Sequence, residues 1–144
     1  MTANATQVVV IPCSGIGKTY GSVAREAAYD LCEDLRPEGT TLVALAKLVL
    51  GEEKARERVR SCPAVTIDGC KLMCASKLVT HSGGRVAHEV AVLDVYRRHK
   101  ELKPEGIAEL NEGGLKLARL LAEEVAGVVD EIRRTATTAG GRHA

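Results

Sequence analysis

Short apolar runs alternate along this chain with longer segments in which apolar residues recur at helical spacing. Residues 7–12 and 64–68 are compact runs rich in β-branched side chains, typical of strands buried on both faces. Residues 22–35 and 115–134 have the apolar spacing of amphipathic helices. Alternating strands and helices favour parallel pairing through right-handed crossovers. We therefore predict a small three-layer α/β domain with a parallel sheet of about three or four strands, helices on both faces and a long C-terminal helix.

The remaining segments are less regular. Residues 40–50 are ambiguous, because their first half suits a strand and their second half suits a helix equally well. A glycine follows the second strand, so residues 70–80 predict a helix, and residues 85–95 predict the last strand. We expect a single domain over residues 1–134 and a disordered tail over residues 135–144.

Charge and composition exclude several classes of function. The formal net charge of the 144 residues is +1, and basic and acidic side chains are intermixed, so no basic face for nucleic acid is expected. The chain has no phenylalanine or tryptophan and only three tyrosines, which argues against stacking on single-stranded bases. No apolar run approaches the roughly 20 residues that span a bilayer. The first residues also lack the pattern of a secretory signal. We therefore expect a cytoplasmic protein that binds neither nucleic acid nor membranes.

Three of the five cysteines follow predicted strand ends. Cys13 comes directly after the first strand, and Cys70 follows the strand at residues 64–68. Cys74 lies one helical turn beyond Cys70, on the same face of the predicted helix. If the two strands are neighbours, three thiols converge on the carboxyl edge of the sheet, where parallel α/β proteins build their sites. Both loops lead into helix N-termini, which favour the thiolate form that binds metal.

The other two cysteines fit this site less well. Cys62 precedes the strand that Cys70 follows, and a straight strand would separate them by about 16 Å or more. Either the site has three cysteines and an open fourth position, or the chain folds back at residues 61–63. Cys32 lies on the apolar face of its predicted helix and is expected to be a small buried side chain.

Several polar residues lie beside the cysteines. Asp68 ends its strand and either orients a ligand, acts as a base or caps the following helix. Ser14 and Lys18 lie in the glycine-rich loop after the first strand, where Lys18 either shapes the metal loop or starts the helix. The end of that loop, Gly-Lys-Thr, is similar to a phosphate-binding loop, but Pro12 occupies the position of its first glycine. A phosphate or nucleotide site is therefore the weakest of the hypotheses.

Two sequence segments resemble a known family. Residues 12–28, PCSGIGKTYGSVAREAA, and residues 61–74, SCPAVTIDGCKLMC, resemble the DGC-domain family, named for its Asp-Gly-Cys motif. The resemblance covers residues 8–95 and implies a zinc site made by four cysteines. Those cysteines match Cys13, Cys62, Cys70 and Cys74 of this chain.

These observations leave different classes of function open. The first is a zinc-binding protein in which four thiolates hold a structural or carried ion. The second is an enzyme with a [4Fe–4S] cluster or thiol-redox chemistry, such as sulfur transfer or desulfuration, with Asp68, Ser14 or Lys18 as acid–base groups. The third is the phosphate binder. The C-terminal helix either packs on the sheet or forms a homodimer.

Overall fold

A four-stranded parallel sheet forms the centre of the molecule. The computed structural model describes residues 7–13, 18–69 and 72–143, with side chains through residue 136. The strands are β1 (Val8–Pro12), β2 (Thr40–Leu42), β3 (Ala64–Asp68) and β4 (Val86–Ala91). The helices are α1 (Thr19–Tyr29), α2 (Leu45–Val49), α3 (Glu53–Ser61), α4 (Cys74–His81), α5 (Val92–Arg98) and α6 (Glu112–His143). The strand order is β2-β1-β3-β4, and every neighbouring pair is parallel.

The two central strands are the β-branched runs of the sequence. Every residue of β1 and β3 is buried. Successive side chains of a strand point to opposite faces, so each strand contributes to two cores. Val8, Val10 and Ile67 pack on one face with α1, α5 and α6, and Val9 and Ile11 pack on the other with α2, α3 and α4. The predicted three-layer α/β architecture is confirmed.

Two irregular segments each combine a strand and a helix. Residues 40–50 contain both of the predicted alternatives, because β2 is short and α2 follows it. The prediction of a continuous strand over residues 85–95 is wrong beyond Ala91, where α5 begins. The reason is the length of β3, whose last residue, Asp68, pairs with Ala91. Beyond that pair the described residues of β3 offer β4 no further partner, and α5 buries Val92 and Val95 in the first core instead.

The helix predicted over residues 70–80 begins later in the structure. Helix α4 starts at Cys74, and Met73 before it has the left-handed conformation φ 53°, ψ 47°. The predicted start of this helix is therefore wrong at residues 72 and 73, which precede α4. Cys70 lies outside the described residues, so its place on one helical face with Cys74 stays a prediction. The carboxylate of Asp68 accepts a hydrogen bond from the amide of Ala75, so the first turn of α4 lies against the end of β3.

Helix α6 packs along α1 and supplies much of the first core. It begins at Glu112 and continues past residue 134, where the sequence pattern placed its end. Its apolar side, including Leu117, Leu121 and Val125, is fully or almost fully buried within the chain. A homodimer through this helix would need another of its surfaces, and it stays a prediction. The single domain over residues 1–134 and the disordered tail over residues 135–144 also stay predictions. Among the described residues no helix is long and apolar enough to cross a membrane.

Candidate metal centre

The connections of the sheet diverge between its two central strands. Strand β1 leads through α1 to β2 on one side, whereas β3 leads through α4 to β4 on the other. Helices α1 and α4 also cover opposite faces of the sheet. Such a divergence opens a crevice at the carboxyl ends of the two strands, and open α/β proteins place their ligands there.

Cys13 lies at this crevice, directly after β1. Its amide donates a hydrogen bond of 2.8 Å to the carbonyl of Ile67, which continues the pairing of β1 with β3 by one residue. The side chain is half-buried and packs against the core on the α1 face. Strands β1 and β3 are neighbours, so the condition for cysteines to meet at one edge is met.

Gly69 brings the end of β3 against the start of α1. A Cβ atom at this position would lie 3.1 Å from the carbonyl carbon of Tyr20 and 3.1 Å from the amide nitrogen of Gly21. A side chain here would push α1 away from the sheet. The glycine of the Asp-Gly-Cys motif therefore permits a close backbone approach. Cys70, which follows it, lies outside the described residues.

Asp68 is a buried carboxylate beneath the first turn of α4. Its side chain is only 1% exposed, and Oδ1 accepts the 2.8 Å hydrogen bond from the Ala75 amide. Burial raises the pKa of Asp68 most strongly, while the amides of Ala75 and Ser76 lower this pKa. Oδ2 has no hydrogen-bond partner within the described parts of the chain. The helix-capping interpretation of Asp68 is thus supported, and its role toward a ligand stays a prediction.

Cys74 lies on the face of the sheet opposite α1, in the helix whose first turn is bonded to Asp68 at the end of β3. It is the first residue of α4, and it is exposed. The amide groups at the N-terminus of a helix carry partial positive charge, and in α4 the amide of Ala75 is already bonded to Asp68. His81 lies at the other end of α4, about 10 Å along the helix axis, and does not reach this edge.

Cys62 lies at the opposite edge of the sheet. It ends α3, and its half-buried side chain packs against the second core. The carbonyl of the next residue, Pro63, accepts a hydrogen bond from Val9, near the start of β1. The five residues of β3 separate Cys62 from the carboxyl edge by about 16 Å. The structure does not bring Cys62 to Cys13, and the four-cysteine set implied by the resemblance stays a prediction.

Cys32 lies against the first core, and Lys18 lies at the N-terminus of α1. Cys32 is half-buried against the first core, and burial raises the pKa of its thiol. This agrees with the packing role predicted for it. Lys18 is exposed at the N-cap of α1, and its carbonyl accepts a hydrogen bond from Ser22. Lys18 thus directly precedes the first residue of α1, and its role toward a metal or a ligand stays a prediction. Ser14 lies outside the described residues, so its role and the phosphate site stay predictions.

The donor types at this edge fit a metal that prefers sulfur. Thiolates select zinc or iron–sulfur clusters over magnesium or calcium, and Cys13 and Cys74 are free thiols beside the crevice. Among the described residues, no group of three histidine, cysteine or acidic side chains is arranged to hold a metal ion. Cys70 is outside that set. The zinc and [4Fe–4S] assignments therefore stay predictions.

Two residues that the sequence interpretation missed hold α4 in place. Thr66, in the middle of β3, shares a buried hydrogen bond of 2.6 Å with Ser76 in the first turn of α4. The available signal was weak: one hydroxyl inside an otherwise apolar strand and another two residues after Cys74. Neither pattern indicates which residue is the partner.

The family comparison covers all of the sheet except the first residue of β1. The family model of the DGC domain matches residues 9–113, from β1 to the first turn of α6. It therefore includes all of the candidate cysteines and extends beyond the segments that carry the resemblance in the sequence. Searches of curated proteins and of solved structures found no match. Because the matched residues make up well over half of the chain, this protein belongs to the DGC-domain family.

Proposed function

We propose that this protein binds zinc through cysteine thiolates at the carboxyl edge of β1 and β3. The observation that carries the proposal is that Cys13 directly follows β1 and that Cys74 begins the helix attached to the end of β3, the two strands at which the connections of the sheet diverge. Membership of the DGC-domain family supports a metal-binding role. The free cysteines are also consistent with the cytoplasmic location that we propose.

The proposed ligands are Cys13, Cys70 and Cys74. Zinc is commonly held by three or four protein ligands, and three leave one position for water or a substrate. Cys62 would complete a closed four-thiolate site only if residues 61–63 moved toward the carboxyl edge. Such a movement would remove the half-buried Cys62 side chain from the second core.

We propose further that the ion is carried or used, and that it is not needed for folding. Each face of the sheet has its own apolar core, and neither Cys13 nor Cys74 is among the fully buried residues of these cores. Cys74 is exposed, so an ion bound there would be accessible to solvent or to a partner. A bound zinc would supply Lewis acidity, and Cys13 and Cys74 would determine where it lies.

A second candidate is an enzyme with a [4Fe–4S] cluster or thiol-redox chemistry. The observation that favours it is the distance of Cys62 from the crevice, which leaves three cysteines and an open position. Three cysteine ligands with one free iron suit a cluster that binds a substrate. Sulfur transfer or desulfuration would then be the reaction class, with Asp68, Ser14 or Lys18 as candidate acid–base groups.

The test is a metal analysis of the full chain, purified anaerobically without chelators. Zinc, iron and acid-labile sulfide are measured in the wild type and in Cys13→Ala, Cys62→Ala and Cys74→Ala. Cys32→Ala is the matched control, because Cys32 is a half-buried thiol in the first core. We expect about one zinc per chain in the wild type, Cys62→Ala and Cys32→Ala, and loss of zinc in the other two.

The alternative results separate the hypotheses. Loss of zinc in Cys62→Ala, with retention in Cys32→Ala, would establish the closed four-cysteine site. About four iron and four sulfide per chain, retained in Cys62→Ala, would indicate the cluster enzyme. A wild-type protein without zinc or iron, including after anaerobic reconstitution with each metal, would overturn the metal-binding proposal.

A further inference from the structure

The first turn of α4 is attached to β3 by two buried polar contacts. Thr66 and Ser76 share a hydrogen bond of 2.6 Å, and Asp68 accepts a hydrogen bond of 2.8 Å from the Ala75 amide. The side chains of Thr66, Asp68 and Ser76 are 0%, 1% and 7% exposed, respectively. The contacts involve the two residues that directly follow Cys74, so they fix the backbone that carries its thiol.

Apolar packing alone would not require these side chains. Valine has nearly the shape of threonine and would suit the buried centre of a strand, whereas a buried hydroxyl is unfavourable unless it is hydrogen-bonded. The second core already joins α4 to the sheet through Ala75 and Val79. The polar contacts therefore add a defined position and orientation to an attachment that exists without them.

The backbone just before Cys74 is held in an uncommon conformation. Among the described residues other than glycine, Met73 alone has a positive φ, at 53°. Residues in this region persist when the surrounding structure enforces them, and they occur frequently at ligand sites. Thr66 and Asp68 contact Ser76 and Ala75, which follow Met73 in the chain, and these contacts restrain the backbone just after Met73.

We propose that Thr66, Ser76 and Asp68 are positioning residues that set the Cys74 thiol at the crevice before a metal arrives. The inference rests on the proposed metal site. It adds that β3 contributes to the metal site through Thr66 and Asp68, whose side chains do not bind the ion themselves. Supporting residues of this kind commonly change metal affinity about 10–100-fold when they are replaced.

The matched experiment compares Thr66→Val with Thr40→Val. Thr40 is also a buried threonine of the sheet, 7% exposed, and its hydroxyl donates a 2.7 Å hydrogen bond to the Arg36 carbonyl. It lies at the start of β2, at the opposite edge. Zinc affinity is measured by competition with a chromophoric chelator, and the thiolate-to-metal absorption of bound Co²⁺ reports the geometry of the ligands.

We expect Thr66→Val to weaken zinc binding about 10-fold or more and to alter the Co²⁺ spectrum. Thr40→Val should leave both unchanged, even where it lowers stability. Ser76→Ala removes the same hydrogen bond from the other side and should reproduce Thr66→Val, which keeps the test valid if one variant does not fold. Equal affinities and spectra for the Thr66, Ser76 and Thr40 variants would overturn the inference.

Asp68 is tested by comparing a conservative variant with a truncated one. Asp68→Asn keeps a carbonyl oxygen that can accept from the Ala75 amide, whereas Asp68→Ala does not. We expect Asp68→Asn to retain most of the zinc affinity that Asp68→Ala loses. Equal losses in both would overturn the positioning role of Asp68. A wild-type protein that binds no metal would instead overturn the proposed function, and this inference with it.

Discussion

The two ends of strand β3 carry cysteines in different surroundings. At the amino end, Cys62 closes α3 and packs among apolar residues of the second core. At the carboxyl end, Asp68 is buried with one oxygen bonded to α4, and Cys74 is exposed close by. The cysteine at the amino end packs against the core, whereas the residues at the carboxyl end have the burial and exposure expected of a ligand site. The comparison shows that residues close together in a sequence motif can serve opposite edges of a parallel sheet.

Zinc binding itself should produce the largest change in the free energy of unfolding. At free zinc about 100 times its Kd, the free energy of unfolding of the wild type should rise by about 2.7 kcal/mol, because the ion binds the folded state. Cys62→Ala should retain this gain, and Cys74→Ala should lose it. Urea unfolding with and without zinc measures the difference. If Cys62→Ala and Cys74→Ala both lost the stabilisation by zinc, the cysteines at the two edges of the sheet would not differ in their role.

Adding a methyl group at Gly69, by the substitution Gly69→Ala, should lower the stability of the fold at the carboxyl edge. The added Cβ would lie 3.1 Å from backbone atoms of Tyr20 and Gly21, which cannot rotate away. We expect a loss of about 1–3 kcal/mol in the free energy of unfolding. Gly127→Ala is the matched control, because nothing lies within 4 Å of its added Cβ in α6. That variant should gain about 0.5–1 kcal/mol from helix propensity. Similar losses in both would show that Gly69 is not closely packed.

Thiol alkylation should distinguish the cysteines by their surroundings. In the metal-free protein, Cys74 should react fastest of the described cysteines with iodoacetamide because it is exposed. Cys32 should react slowest, because it is half-buried and burial raises the pKa of its thiol. Raising the pH should increase the alkylation rate of Cys32, because its thiolate then forms. Peptide mass spectrometry after timed alkylation gives each rate. A Cys32 rate equal to that of Cys74 would contradict the burial of Cys32.

The smallest effect concerns an ion pair far from the crevice. Arg36 donates two hydrogen bonds of 2.7 Å to Asp130 and lowers the pKa of that carboxyl. A lowered pKa contributes stability above the unfolded value of about 3.9, and this stability is lost as pH falls through the folded value. Because both side chains are partly exposed, we expect about 0.5 kcal/mol or less.

Asp130→Asn tests that contribution. The difference in free energy of unfolding between the wild type and this variant should be present at neutral pH and should shrink in acid. Zinc affinity should not change, because the pair joins Arg36, which precedes β2, to the C-terminal half of α6, away from Cys13 and Cys74. A change in zinc affinity would show that the two edges are coupled.

Local patterns were sufficient for the central elements and failed at their ends. The β-branched runs identify β1 and β3 because full burial on both faces requires apolar side chains at every position. The apolar spacing of α6 likewise identifies a helix packed on the core. The beginning of α4 and the end of β4 were wrong by several residues, because these boundaries depend on Asp68 bonding Ala75 and pairing with Ala91.

The sequence by itself determined the fold class, the family and the cysteines that lie at strand ends, because each depends on residue types at short spacing. It also indicated that Cys62 is too far from the carboxyl edge, since strand length follows from residue count. Only the tertiary structure decided the order of the strands, the crevice between β1 and β3, and the pairing of Thr66 with Ser76. These features join residues of separate elements, and their partners are selected by three-dimensional packing that no local pattern encodes.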